Sequence, residues 1–123
     1  MHGSDRTIAT RELASAYFAA WRARDAKALR ALLAEDVAFE GPLGRASGVA
    51  DYASSMERLF ALTTGIDVKK LLVDDEDALT WFELRTTVAP PAPVVNWTHV
   101  EGGKIVRVRA VFDPRPLLAG RSR

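Results

Sequence analysis

The sequence contains no cysteine. Disulfide bonds and thiolate nucleophiles are thereby excluded, and a reducing compartment is compatible. Only two histidines occur among 123 residues, which argues against a histidine-built metal site. No metal and no other cofactor is expected. An excess of one charge is lacking too: 17 Lys and Arg against 16 Asp and Glu leave a net +1. No global field draws the chain to nucleic acid or to an anionic membrane. No apolar run reaches the ~18–20 residues of a membrane-spanning helix. The opening Met1-His-Gly-Ser-Asp-Arg6 has no apolar signal segment. The cytoplasm is the expected location.

What is present is a hydrophobic fraction of 48% and a charged fraction of 27%, the composition of one globular domain over residues 1–123. From Thr7 to about Arg24, Leu13, Tyr17 and Trp21 recur at helical spacing, with Thr7 or Thr10 as the expected cap. Asp25 reads as the cap of a shorter helix through Leu29 and Leu33. Val37–Phe39 reads as a short strand, and Gly41-Pro-Leu-Gly44 as a turn. A third helix is expected from about Gly48 to Thr63, capped by Ser47 and ended by Gly65.

The remainder is β. Strands are expected over Ile66–Val73 and Ala78–Val88, joined by an acidic turn. A proline-rich loop, 89–93, leads into the most patterned stretch, Asn96 to Phe112. There two alternating runs flank Glu101-Gly-Gly-Lys104, a hairpin signature. Asn96, Thr98 and Val100 share one face, opposite Trp97, His99 and Glu101. In the second run Val106, Val108, Ala110 and Phe112 are expected to face the core, with Ile105, Arg107, Arg109 and Val111 facing away. Phe82 and Leu84 oppose Trp81, Glu83 and Arg85. The fold class is α+β, with helices on one face of an antiparallel sheet.

Four stretches carry a family resemblance: Tyr17-Phe-Ala-Ala-Trp-Arg-Ala-Arg-Asp25, Leu32 to Gly44, the helix near Tyr52, and Gly102 to Pro116. The chain resembles the nuclear transport factor 2-like superfamily, and within it the SnoaL-like, ketosteroid-isomerase-like bacterial branch. The resemblance implies a cone: a curved antiparallel sheet, cystatin-like, with three helices on its concave face and an apolar pocket open at one end. It implies Tyr17 and Asn96 as catalytic donors that would polarise a ligand carbonyl. Trp21, Phe39, Met56, Phe60, Phe82, Thr98 and Ala110 would line the pocket.

The family's usual acids are missing. The aspartate of the isomerase's Glu-Asp-Pro-Val-Gly turn aligns with Gly41, and the acid of the last strand aligns with Ala110. Glu40, Asp113 and His99 are the substitutes to consider, with Glu40 and His99 expected on the other face. Binding of a small, largely apolar carbonyl compound is the leading expectation, with isomerase, cyclase or lyase chemistry as its catalytic extension. The alternative is a non-catalytic ligand carrier or a dimeric interaction module. Trp81, Trp97, His99, Arg107 and Arg109 gather on the outer sheet face, where aromatics beside arginines suit an interface centre. A homodimer is expected there.

Overall fold

The computed structural model describes residues 2–121. The chain forms α1 (His2–Ala23), α2 (Ala26–Leu32), β1 (Leu33–Gly41), β2 (Gly44–Ser47), α3 (Val49–Leu62), β3 (Thr63–Asp74), β4 (Asp77–Thr86), β5 (Ala92–Glu101), β6 (Lys104–Val111) and α4 (Arg115–Arg121). Its six strands make one curved sheet in the order β2-β1-β6-β5-β4-β3. The helices of the first half pack on the sheet's inner face, so the expected cone is present. Helices number four rather than three, because the tail after Pro114 coils into α4. No helix among the described residues is long and apolar enough to cross a membrane.

The long meander from β3 to β6 is antiparallel throughout, but β1 joins β6 in parallel. The chain reaches β1 by way of α1 and α2 and therefore enters the sheet beside its last strand. β2 is an additional strand. The Pro42-Leu43 turn folds Gly44–Ser47 back on β1, pairing Phe39 with Ala46 and Gly41 with Gly44.

Two expected caps are replaced. Helix α1 begins upstream of Thr7 and Thr10, so neither starts it; the Thr7 hydroxyl instead accepts the Asp75 amide at 3.2 Å. At α3 the cap residue is Gly48, and the Asp51 carboxylate accepts the Ser47 amide at 2.9 Å. The helix ends at Leu62, before Gly65, where β3 is already running. Asp25 does cap α2, accepting the Ala28 amide at 3.0 Å.

One facing assignment is overturned. The β5–β6 register shifts between His99 and Val100, which pairs with Ile105 while His99 pairs with Arg107. Val106 is the extra residue of that bulge. A bulge turns the strand by one residue, so Ile105 joins Val108 in the core and Val106 is only half-buried.

The core is aromatic. Phe82 meets Phe18 edge-on at 4.9 Å and Trp21 at 5.6 Å, and Tyr17 meets Phe18 at 5.3 Å. Such pairs add about 0.5–1.5 kcal/mol each beyond area burial. They fix α1 against β4 and thereby set where Tyr17 stands.

Candidate functional site

The helical repeat of α1 aims Tyr17 inward, and that of α3 aims Tyr52 and Met56 toward it. The Tyr17 and Tyr52 hydroxyl oxygens lie 2.6 Å apart, and the Tyr17 hydroxyl reaches the Met56 Sδ at 3.6 Å. When Tyr17 donates to Met56, Tyr52 donates to Tyr17. Burial pushes both phenols well above their ordinary range; hydrogen bonding with Tyr52 partly offsets the effect at Tyr17, while the Tyr17 neighbour adds to it at Tyr52. Both are neutral donors at any physiological pH. A thioether is a weak acceptor, so the Tyr17 proton is the one readily redirected to a ligand oxygen. Phe39 stacks on Tyr52 at 5.0 Å and completes this end of the wall.

The opposite wall is the inner face of β4, β5 and β6. Asn96 is the register partner of Thr80 on one side and of Ala110 on the other. Thr80, Asn96 and Thr98 are all buried, at 1%, 3% and 1% exposure. The Thr80 hydroxyl is buried with no hydrogen-bond partner among the described residues. Leaving a buried polar group unpaired costs about 1–3 kcal/mol, a cost that the Thr80 hydroxyl carries in the free protein.

Other expected wall residues divide between core and rim. Trp21 donates its indole N–H to Thr63 Oγ1 at 3.0 Å, and that hydroxyl donates to the Leu59 carbonyl at 2.7 Å. Trp21 is thus a core anchor. Phe60, Met56 and Phe82 are buried in the same cluster, while Phe39 is half-buried and packed against it. Gly41 lies beside Ala110: a Cβ placed at Gly41 would stand 3.6 Å from the Ala110 Cβ and 3.0 Å from Phe39 Cζ. The two positions where the family resemblance implies acids are neighbours here, and both are bare.

The substitutes for those acids point elsewhere. Glu40 pairs with Arg109 at 2.5 Å and Arg45 at 3.5 Å on the outer face, and its bond to Arg109 holds its carboxyl below the ordinary value. Asp113 is held by Arg115 at 2.8 Å, which lowers its pKa to about 2. His99 lies outside the cone between Asp77 (2.8 Å) and Glu101 (3.0 Å). Partial burial lowers its pKa, but the two carboxylates outweigh burial and raise it. Glu83 and Arg85 pair at 2.8 Å on the outer face. Among the described residues the buried set contains no charged side chain, and no group of His, Cys, Asp and Glu could hold a metal ion.

Residues 14–108 of the chain match the model of a known family, the SnoaL-like domain. The chain belongs to the SnoaL-like domain family. A Kribbella flavida crystal structure is similar to this SnoaL-like chain at TM-score 0.85 and 28% identity, covering 90% of this chain and 92% of that one. A second K. flavida structure, provisionally named a ketosteroid isomerase, matches at TM-score 0.74 and 31% identity over 87% of this chain and 79% of that one. An epoxide hydrolase of the LEH type from M. tuberculosis shares the fold at TM-score 0.77 and 20% identity, covering 93% and 90%. No curated protein matches the chain.

Two polar members of the site escape a sequence-only reading. Tyr52 looks like one more apolar residue of the α3 stripe until Tyr17 is placed opposite it. Thr80 continues the inward alternation of Phe82 and Leu84 by one step, and that step was the available signal. Two grooves lie outside the cone. One, of about 390 Å³, runs between the end of α1 and the start of β3, beside Trp21, Arg24 and Gly65. The other, about 340 Å³, lies on the outer sheet face beside Glu40, Trp97, Arg109 and Val111.

Proposed function

We propose that this SnoaL-like chain binds a small, largely apolar carbonyl compound inside the cone and holds it without deprotonating it. One observation supports the reading above all. On the inner wall the Thr80 hydroxyl is buried with no partner among the described residues, beside its register partner Asn96, and the buried set holds no carboxylate or imidazole. Donors without a base polarise a carbonyl but cannot take its α-proton. Tyr17 and Asn96 are the polarising donors in this reading, and Met56, Phe39, Phe82, Thr98 and Ala110 are wall.

The reading is tested with a cyclic ketone in deuterated buffer. Binding is expected as a rise in melting temperature, lost in Asn96→Leu, with no α-proton exchange above the buffer rate by NMR. Exchange that disappears in Tyr17→Phe would replace the carrier reading with an isomerase-type one. A panel of ketones without any thermal shift would remove the ligand reading.

A second reading concerns the outer sheet face and is favoured by its exposed apolar rows. Leu72, Leu79 and Trp97 lie side by side across β3, β4 and β5, and Trp81, Val95 and Val111 form the next row. Their exposures run from 37% at Trp97 to 68% at Val111. Arg107 sits over the Trp97 ring at 5.5 Å, and Arg109 and His99 border the patch. We infer a homodimer joined through this face, in the cytoplasm, with no nucleic-acid or membrane partner. Sedimentation equilibrium at micromolar concentration tests it; a monomer there would remove it.

A further inference from the structure

The inner polar strip has a chemistry of its own. Thr80 and Asn96 are register partners on neighbouring strands, and Thr98 lies two residues from Asn96 on the same face. Directly opposed side chains in an antiparallel pair stand about 5 Å apart at Cβ, and the diagonal neighbour about 7–8 Å. The three groups are therefore within reach of one ligand headgroup. A primary amide offers two N–H donors and a carbonyl acceptor, and each hydroxyl both donates and accepts. The Thr80 hydroxyl uses neither capacity within the described residues.

We propose that Thr80, Asn96 and Thr98 act together as a specificity strip for a neutral headgroup that donates and accepts at once. A carboxamide, an undissociated carboxylic acid or a hydroxy-ketone has that chemistry. This inference rests on the ligand-binding reading above and narrows its class. A ketone takes the Asn96 N–H and leaves the Thr80 hydroxyl as unpaired as in the free protein. A site with unpaired polar groups holds more weakly a ligand that cannot satisfy them, so the ketone binds but the amide binds tighter. An anion is disfavoured for a different reason. No charged side chain belongs to the buried set, and an unpaired buried carboxylate is costly enough to be protonated instead.

Thr80 is the member that gives a separable signature. Its hydroxyl is buried without a partner, so replacing it by the isosteric Val removes an unsatisfied group from the free protein and one bond from the complex. Stability and affinity then move in opposite directions. A residue that merely packs would lose in both or in neither.

The experiment uses three probes of one shape: 2-naphthamide, 2-acetonaphthone and 2-naphthoate. Each is titrated calorimetrically at neutral pH into wild type, Thr80→Val, Thr98→Val and Thr80→Ser, with melting temperatures recorded alongside. The amide is expected to bind wild type tighter than the ketone or the anion. Thr80→Val should melt higher and bind the amide about fivefold more weakly, the worth of one net hydrogen bond. Thr80→Ser should retain the wild-type affinity, and the ketone should be insensitive to Thr80→Val. Equal affinity for ketone and amide, or an amide affinity unmoved in both valine variants, would overturn the specificity strip while leaving a binding cone. If no probe binds wild type yet Thr80→Val still melts higher, the strip is served by water and the ligand reading falls with it.

Discussion

The Tyr17 hydroxyl stands 2.6 Å from the Tyr52 hydroxyl, and both rings are 1% exposed. This pair ties α1 to α3 in the interior of the fold. Removing one hydroxyl leaves the other buried with a poorer partner, or with none. Tyr52→Phe is expected to cost about 1–3 kcal/mol, and Tyr17→Phe a similar amount. The double variant should cost less than the two added together, because no orphan is left. Urea denaturation of the four proteins measures the coupling; strict additivity would mean that the two hydroxyls do not support one another.

His99 bridges two carboxylates. Its Nδ1 meets Asp77 on β4 and its Nε2 meets Glu101 on β5, while Arg107 of β6 is the positive charge beside it. Both ring nitrogens can donate only when the ring is protonated. Partial burial opposes protonation, the two carboxylates favour it more strongly, and the folded-state pKa rises above 6.5. A raised imidazole pKa contributes stability that is fully present below the unfolded value and is lost as pH rises through the folded one. Stability is therefore expected to fall as pH climbs past 6.5, and that part of the fall should vanish in His99→Gln. Denaturant midpoints across this window are the measurement. An unchanged slope in the variant would assign the pH dependence to other groups.

The apolar rows of the outer face give a prediction about assembly. Trp81 is 53% exposed and makes no ring contact in the described chain, so a charge placed there barely perturbs the monomer. Trp81→Lys is expected to shift sedimentation equilibrium toward monomer by tenfold or more, since central interface aromatics are commonly worth ~2 kcal/mol or more. The unfolding midpoint at a concentration where wild type is monomeric should stay within about 0.5 kcal/mol. Trp97 is a poorer probe, because its indole also donates to Asp77 at 2.7 Å.

Gly120 brings α4 against the loop after β4. A Cβ built there would lie 1.8 Å from the Val88 carbonyl oxygen. Backbone cannot yield that distance locally, so Gly120→Ala should lift α4 and expose Leu117, now 5% exposed. Faster amide exchange confined to residues 115–120 would show it. Uniform exchange across the chain would instead mean that α4 shifts without detaching.

Alternation and helical repeat made the cone legible in the sequence, because each of its main elements buries one face. The period of two placed Asn96, Thr98 and Phe82 inside and Trp81, Trp97 and His99 outside, as the structure has them. The same rule failed at Ile105, since a bulge changes the count by one and nothing in Lys104–Val108 announces it. Strand β2 was hidden for a related reason: four residues are too few to show a period. The pairing of Tyr17 with Tyr52 and the unpartnered state of Thr80 were beyond reach. Both depend on which residues meet across the core, a tertiary fact that local pattern does not encode. The missing acids at Gly41 and Ala110 are visible only through the family resemblance and not from any property of those residues alone.

Ala110 offers the means to supply what the cone lacks. It is the register partner of Asn96, on the inner face of β6. Ala110→Asp would place a carboxylate next to the amide donor and beside the bare Gly41. Two effects follow from one substitution. The carboxylate would stand at a half-buried position, so desolvation is expected to raise its pKa and the fold to lose about 1–3 kcal/mol of stability. A carboxylate of raised pKa beside a polarising donor is also a general base, and a positioned base contributes ~10²–10⁴-fold to proton abstraction. The variant is expected to exchange the α-protons of a bound ketone above the buffer rate, with a pH profile that rises through the new group's pKa. Asn96→Leu in the same background should abolish the gain. Exchange equal to wild type would mean that the ligand's reactive carbon lies away from β6, and that the donors of the strip hold it in another orientation.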